Sequence, residues 1–163
     1  MRGKIRLEKE SDFTNPVAVG DWVNMEKGET QDWQITGIED RRNYIVRQSP
    51  KRKRARHVLA ANIDQAIVVV TLSRPRTSTG FIDRFLITAE AYHIPCLLVL
   101  NKSDAYTEKD KEKAAAYAMI FSEAGYEFVL TSALQGTGID ELAERLQGKT
   151  SLIAGHSGVG KST

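Results

Sequence analysis

Two periods of apolar and polar residues divide the chain. Between Val17 and Arg47 short runs alternate apolar with polar residues, the period-two signature of half-buried strands. Val17–Gly20 leads into a strand over Asp21–Met25, Glu26–Thr30 reads as a polar turn, and Trp33–Ile35 alternates again. Glu39–Asn43 reads as a second turn before a strand over Tyr44–Arg47. Three short strands joined by polar turns predict an antiparallel meander, the material of a small barrel or sandwich. Three strands bury little by themselves. The meander is therefore expected to pack on the back half of the chain, or to be completed by strands preceding Met1.

From Ile67 onward the period changes. Ile67–Val70 and Cys96–Leu100 are unbroken apolar runs, as expected of strands covered on both faces in a parallel sheet. Between them Phe81, Ile82, Phe85, Leu86 and Ala89 recur at helical spacing. Thr107 is placed to cap a long helix that stops near Gly125. Phe128–Leu130 predicts a third strand, Ile139–Leu146 a short helix and Ser151–Ile153 a fourth strand. Strand and helix in alternation predict an α/β unit with crossovers on the faces of a parallel sheet.

Composition narrows the class. The chain has 163 residues, 41% hydrophobic and 27% charged, a globular balance that argues against disorder and fibrous repeats. No apolar run approaches the ~18 residues of a membrane span, and the N-terminus lacks a signal peptide's apolar stretch. The lone Cys96 excludes an internal disulfide and a cysteine cluster for zinc. A soluble, cytoplasmic protein is the expectation. The net charge of +2 divides into +4 over residues 1–60 and −2 over residues 61–163. Five cations, Lys51, Arg52, Lys53, Arg54 and Arg56, occupy six positions behind Pro50. This run reads either as a solvated linker or as a strip for RNA phosphates. The expected organisation is thus a β-rich unit over 1–50, a basic linker over 51–57 and an α/β unit over 58–163.

The chemistry lies where the predicted strands end. Gly155, His156, Ser157, Gly158, Val159, Gly160, Lys161 and Ser162 fit G-x-x-x-x-G-K-S/T directly after a strand. Glycines let such a loop fold into a nest of N–H groups for phosphates. Lys161 would add charge at the β- and γ-phosphates, and the Ser162 hydroxyl would ligate Mg²⁺. Asn101, Lys102, Ser103 and Asp104 follow the second buried strand and resemble the N-K-x-D guanine motif, whose carboxylate accepts from guanine N1–H and the exocyclic amine. Ser132 and Ala133 follow the third and resemble the S-A-K/L motif, with a backbone N–H near Ala133 meeting guanine O6. The guanine motif and the S-A motif are each weak alone. Together, at the ends of strands that an open sheet brings to one crevice, they point to GTP rather than ATP.

The order is unusual, because Lys161 lies 59 residues after Lys102, so the phosphate loop comes last. That is the order of a circular permutation. With a basic β-rich unit in front, the chain resembles the ribosome small subunit-dependent GTPase A family. The resemblance runs through Thr14–Asp21, Ala60–Asp64, Phe81–Leu86, Asn101–Asp104 and Gly155–Thr163. It implies a partial OB-fold barrel followed by an incomplete circularly permuted Ras-like P-loop GTPase domain, a β plus α/β fold. It also implies GTP or GDP, bound by Asn101–Asp104, Ser132, Ala133 and Gly155–Thr163, with Mg²⁺. The implied partners are the small ribosomal subunit and its rRNA, late in subunit maturation, with no membrane and a monomeric protein. The family's zinc-binding domain, switch segments and D-x-x-G motif have no counterpart in these residues. The catalytic residue is therefore expected elsewhere, and the 163 residues are expected to be an inactive fragment. An alternative is a nucleotide-sensing RNA-binding module that does not hydrolyse.

The remaining candidates are read as structural. His156 is a spacer within the phosphate loop, His57 and His93 are surface or helix-end residues, and Cys96 is a small buried hydrophobe. Trp22 and Trp33 could stack on bases, but at least one is expected to pack in the small β core.

Overall fold

In a computed structural model, which describes residues 15–28, 32–48 and 56–163, the chain divides into two units, Met1–Ile63 and Asp64–Thr163. The first contains β1 (Val23–Lys27), β2 (Trp33–Ile38), β3 (Tyr44–Gln48) and β4 (Arg56–Ala61). The expected three-stranded meander is corrected. β1 pairs with β2 and β3 with β4, both antiparallel, as separate two-stranded sheets. β4 begins inside the run assigned to the linker, so the division falls after Ile63 rather than at residues 57–58. The cause is the alternation of Val58, Leu59 and Ala60, buried, exposed and buried, which makes a strand of the residues next to the cations.

Asparagine side chains tie this unit together. Asn15 donates to the Val58 carbonyl at 2.9 Å and accepts from its N–H at 2.8 Å. Asn43 does the same for Ile63, at 2.8 and 2.9 Å. Arg41 grips both oxygens of Asp21 at 2.7 Å, and the Ala18 N–H adds a bond at 2.8 Å. The packing expected of a tryptophan is also corrected, since Trp22 and Trp33 are 68% and 65% exposed. The buried residues here are Ile45, Val58, Ala60, Ala61 and Ile63. They belong to the β3–β4 pair and the segment after it, and the β1–β2 pair is too narrow to cover an indole.

The second unit is a four-stranded parallel sheet in the order β7-β6-β5-β8. Its strands are β5 (Gln65–Val70), β6 (Cys96–Leu100), β7 (Glu127–Leu130) and β8 (Ser151–Ala154). Helices α1 (Thr79–Ala91), α2 (Glu108–Glu123) and α3 (Ile139–Leu146) make the connections. The apolar runs in β5 and β6 have a plain cause, because alternate residues serve two cores. Val68, Val70, Leu98 and Leu100 pack with Ile82 and Leu86 of α1 and with Tyr117 and Phe121 of α2. Ile67, Val69, Leu97 and Val99 pack on the opposite face with Leu142 and Leu146 of α3. Helix α2 starts where the sequence predicts. Thr107 Oγ1 accepts the Asp110 N–H at 3.2 Å, and Asp110 accepts the Thr107 N–H at 3.1 Å, a reciprocal cap.

Register sets the level of the chemistry. Val70, Leu100 and Leu130 end their strands side by side, whereas Ala154 pairs two residues lower, with Val68. The space left above β8 is filled by the loop that succeeds it. Among the described residues no helix is long and apolar enough to cross a membrane.

The Asp21 carboxyl generates a pH prediction. Burial pushes it up, but the hydrogen bonds from Arg41 and Ala18 outweigh burial and hold it below its ordinary 3.8. Its contribution to stability is therefore present above pH 3.8 and lost as pH falls through the lower folded value. Arg41→Ala should destabilise the first unit by about 1–3 kcal/mol at neutral pH. Amide exchange at Val58 and Ala61 should report the loss. The gap between variant and wild type should close below that pH, and a gap independent of pH would remove Asp21 as the cause.

Candidate functional site

All three motifs emerge at the same edge of the sheet, and one side chain binds them together. Asn101 follows β6 and is 4% exposed. Its amide donates to the Val159 carbonyl at 3.0 Å. Its oxygen accepts from Thr131 Oγ1 at 3.0 Å and from the Ala133 N–H at 3.3 Å. The N–H expected near guanine O6 is thus turned onto Asn101 by a long bond. Tyr106 donates its hydroxyl to the Asn101 carbonyl at 2.8 Å. Burial holds that phenol well above its ordinary pKa, so it stays a donor.

Lys102 adopts a left-handed backbone, φ 67°, at the head of the 3-10 turn Ser103–Ala105, a conformation uncommon outside glycine and asparagine. The turn brings Asp104 to Ser132, whose hydroxyl donates to Asp104 Oδ1 at 2.5 Å while accepting the Gln135 N–H at 3.1 Å. The Ser103 N–H donates to the Thr131 carbonyl at 3.0 Å. The exposed Asp104 carboxylate is therefore aimed by a buried serine.

The loop from Gly155 to Thr163 rises beside these residues. Val159 is fully buried in the α3-side core, which pins the middle of the loop to the sheet. Gly155 and Gly160 have φ of 150° and 93°. A Cβ at Gly155 would enter the Val69 carbonyl, and one at Gly160 would enter the Asn101 amide, so side chains are excluded at both. Lys161 Nζ donates to the Gly155 and His156 carbonyls at 3.0 and 2.8 Å. Lys102 Nζ donates to Gly158 at 2.7 Å and to Arg74 at 2.8 Å. The His156 ring lies 4.1 Å from that of Phe81 at the start of α1. Ser157, Ser162 and Thr163 are exposed. Asn101, Lys102, Asp104, Ala133, Leu134, Gly160 and Thr163 enclose a cavity of about 160 Å³.

The profile of the RsgA GTPase family matches residues 38–163. The chain belongs to that family. It is 48% identical over its whole length to the small ribosomal subunit biogenesis GTPase RsgA 2 of Bacteroides thetaiotaomicron, and covers 52% of that protein. It is 46% identical to the corresponding RsgA of Flavobacterium johnsoniae, covering 51%. The chain spans about half the length of the curated relatives it matches. The crystal structure of YjeQ from Thermotoga maritima superposes with a TM-score of 0.73 at 41% identity, over 90% of this chain and 49% of that one. That of YloQ, a circularly permuted GTPase, gives 0.68 at 28% identity, over 98% of this chain and 51% of that one. The fold is that of a circularly permuted RsgA-type GTPase, preceded by OB-like antiparallel strands.

Within this RsgA unit the structure also brings in residues that sequence reasoning missed. Leu134, 83% exposed, lines the cavity, and its signal was the third place of the S-A-K/L pattern. Thr131 and Arg74 had no signal, since each acts through one hydroxyl or one carbonyl. Lys51, Arg52, Lys53 and Arg54 lie outside the described residues, while Arg56 is exposed at the start of β4. Cys96 is half-buried, and burial pushes its thiol up to about 12, which keeps it an unreactive packing residue. His93 is exposed just beyond α1, as a helix-end residue should be. Among the described residues no three His, Cys, Asp or Glu side chains group as a metal site.

Asn101 carries the expected outcome for this region. Asn101→Asp keeps the shape but sets an oxygen against the Val159 carbonyl, and Asn101→Ala strands Thr131, Ala133 and Val159. Each stranded buried group costs about 1–3 kcal/mol, so both variants should lower the thermal midpoint of the second unit. Calorimetry finding either variant as stable as wild type would detach Asn101 from the three loops.

Proposed function

We propose that the second unit binds GTP, and that the full-length protein hydrolyses it as a ribosome biogenesis factor in late maturation of the small subunit. One observation carries the reading: the loop of Gly155–Thr163, the Asp104 carboxylate and the Ser132–Ala133 turn meet at a single cavity, joined through Asn101. The names of the relatives support the biological setting. A cytoplasmic location follows from that role.

The residues fit a nucleoside triphosphate with its divalent cation. Two glycines leave no room for side chains where phosphates would enter. The Lys161 ammonium rests on carbonyls of its own loop, from which an anion would draw it. The Ser162 hydroxyl is exposed beside it. In this reading the N–H groups of the Gly155–Ser162 loop bind the α- and β-phosphates and Lys161 binds the β- and γ-phosphates. Ser162 would hold Mg²⁺, which would offset the negative charge of the phosphates. Asp104, held by Ser132, accepts guanine N1–H and the 2-amino group, while Leu134 and the Lys102 stem offer apolar surface to the ring. Lys51, Arg52, Lys53, Arg54 and Arg56 are proposed as rRNA-phosphate contacts.

Base choice tests the reading directly. In the full-length protein Asp104→Asn should lose about 1.5–3 kcal/mol of GTP affinity, roughly tenfold or more. It should gain affinity for xanthosine triphosphate, whose 2-carbonyl accepts from the new amide. Titrations in which the variant binds both nucleotides as wild type does would remove Asp104 from base recognition.

A further inference from the structure

Between β5 and α1 lies a short loop that the GTPase reading leaves without a role, and it is tightly built. Its ends close on each other: the Thr77 N–H donates to the Thr71 carbonyl at 2.9 Å, and the Thr71 N–H to Thr77 Oγ1 at 3.2 Å. Thr71 Oγ1 donates to the Pro75 carbonyl inside the loop. Thr71 and Thr77 are 1% and 3% exposed, so the closure is sealed from water. At the tip Arg74 takes a left-handed backbone, φ 49°, rare for a residue with a long side chain. Conformations of this kind persist only where their surroundings impose them, and they gather at functional sites.

The tip meets the Gly155–Ser162 loop. The Lys102 ammonium donates at once to the Arg74 and Gly158 carbonyls, at 2.8 and 2.7 Å, so the two backbones lie on either side of a single cation. A Cβ placed on Gly158 would sit 3.6 Å from Pro75 Cδ. The tip of the loop is thus fastened against the middle of the Gly155–Ser162 loop. The Arg74 guanidinium is exposed and has no hydrogen-bond or ion-pair partner among the described residues. Arg76, two residues on, lines a separate groove with Lys109 and Lys113, which leaves Arg74 as the unpaired arginine tethered to the phosphate loop. An arginine reaches far enough from that backbone to meet an oxygen held in the nest.

We propose that Arg74 is a further catalytic residue, a guanidinium supplied from within the chain to the β–γ phosphate region of bound GTP. The inference rests on the GTPase reading of the crevice. Hydrolysis joins the oxygen of water to the γ-phosphorus and breaks its bond to the β–γ bridging oxygen. GDP leaves with the bonding pair on that oxygen, one proton of the water stays on phosphate and the other passes to solvent. Negative charge grows on the bridging oxygen and on the three oxygens of the transferred group as the bond breaks. A planar cation carried on a backbone tethered to the nest would stabilise that charge more than it stabilises the ground state. The fixed loop means that little reorganisation is needed when the charge appears.

The test uses the full-length protein and Arg74→Gly. Glycine accepts the positive φ, so the loop keeps its shape while the charge is lost. Single-turnover hydrolysis at saturating GTP should slow at least about tenfold, and by up to the ~10³-fold that arginine fingers supply elsewhere. GDP affinity should stay within about twofold, while the complex of GDP with aluminium fluoride should weaken in step with the rate. Arg74→Lys should recover part of the rate and Arg74→Gln none, a charge dependence that a structural role would not produce. Arg74→Gly hydrolysing at the wild-type rate overturns the proposal, as does a loss of GDP affinity that matches the loss of rate. Lys161→Ala separates the two levels. Retained nucleotide in that variant overturns the phosphate-loop reading and this inference with it, whereas wild-type turnover in Arg74→Gly beside an inert Lys161→Ala overturns this inference alone.

Discussion

A buried amide has to be satisfied on both its sides, and the Asn101 side chain can meet that requirement only if three segments arrive together. Its donor needs the Val159 carbonyl from the phosphate loop, and its acceptor needs Thr131 and Ala133 from the end of β7. At 4% exposure no water replaces them, and an unmet partner there costs about 1–3 kcal/mol. Assembly of the crevice is therefore coupled to the folding of the sheet. The same residue serves as a strut under the crevice and as part of the buried interior, so the three segments are held together through it.

The contacts around Asn101 also explain why chain order matters so little. They join residues 30, 32 and 58 positions apart, and each depends on where a strand ends rather than on which strand comes first. Because the cost of closing a loop grows only slowly with its length, rejoining the elements in another order leaves these contacts within reach. The stagger of β8, two residues below its neighbour, makes room for the phosphate loop in whatever order the strands are connected. Permutation moves the covalent links and leaves the register alone.

Legibility followed the number of constraints on each segment. β5, β6 and α1 were readable because each buries apolar residues on known faces, and α2 because Thr107 and Asp110 form a local cap. The convergence of Asn101–Asp104, Ser132–Ala133 and Gly155–Thr163 was readable because each segment follows the end of its own strand. β4 was hidden behind the cations at 51–56, since a charge run with a proline reads as linker and only the four apolar residues Val58–Ala61 follow, behind His57. The two tryptophans were misjudged for a related reason. Apolar size argues for burial only when a layer exists to provide it, and the paired strands β1 and β2 provide none. The placement of Arg74 beside that loop was unreadable because its link through Lys102 runs through a carbonyl that every residue carries.

Two lysines beside the crevice carry the same charge and each bonds two carbonyls, yet their surroundings assign them different work. Lys161 bonds Gly155 and His156, residues of its own loop. Releasing it breaks no tertiary contact and costs only the modest net value of exposed hydrogen bonds, about 1 kcal/mol each. A phosphate carries a full opposite charge where a carbonyl carries none, so an anion in the nest would draw this ammonium from the loop. Lys102 bonds Gly158 and Arg74, which belong to different segments, and its left-handed backbone already fixes the turn that aims Asp104. Drawing Lys102 toward a ligand would unfasten the wall of the phosphate loop and disturb the base site at once. On the proposed reading, the lysine free to move would face the phosphates, and the lysine that ties two segments holds the loop in which they would sit.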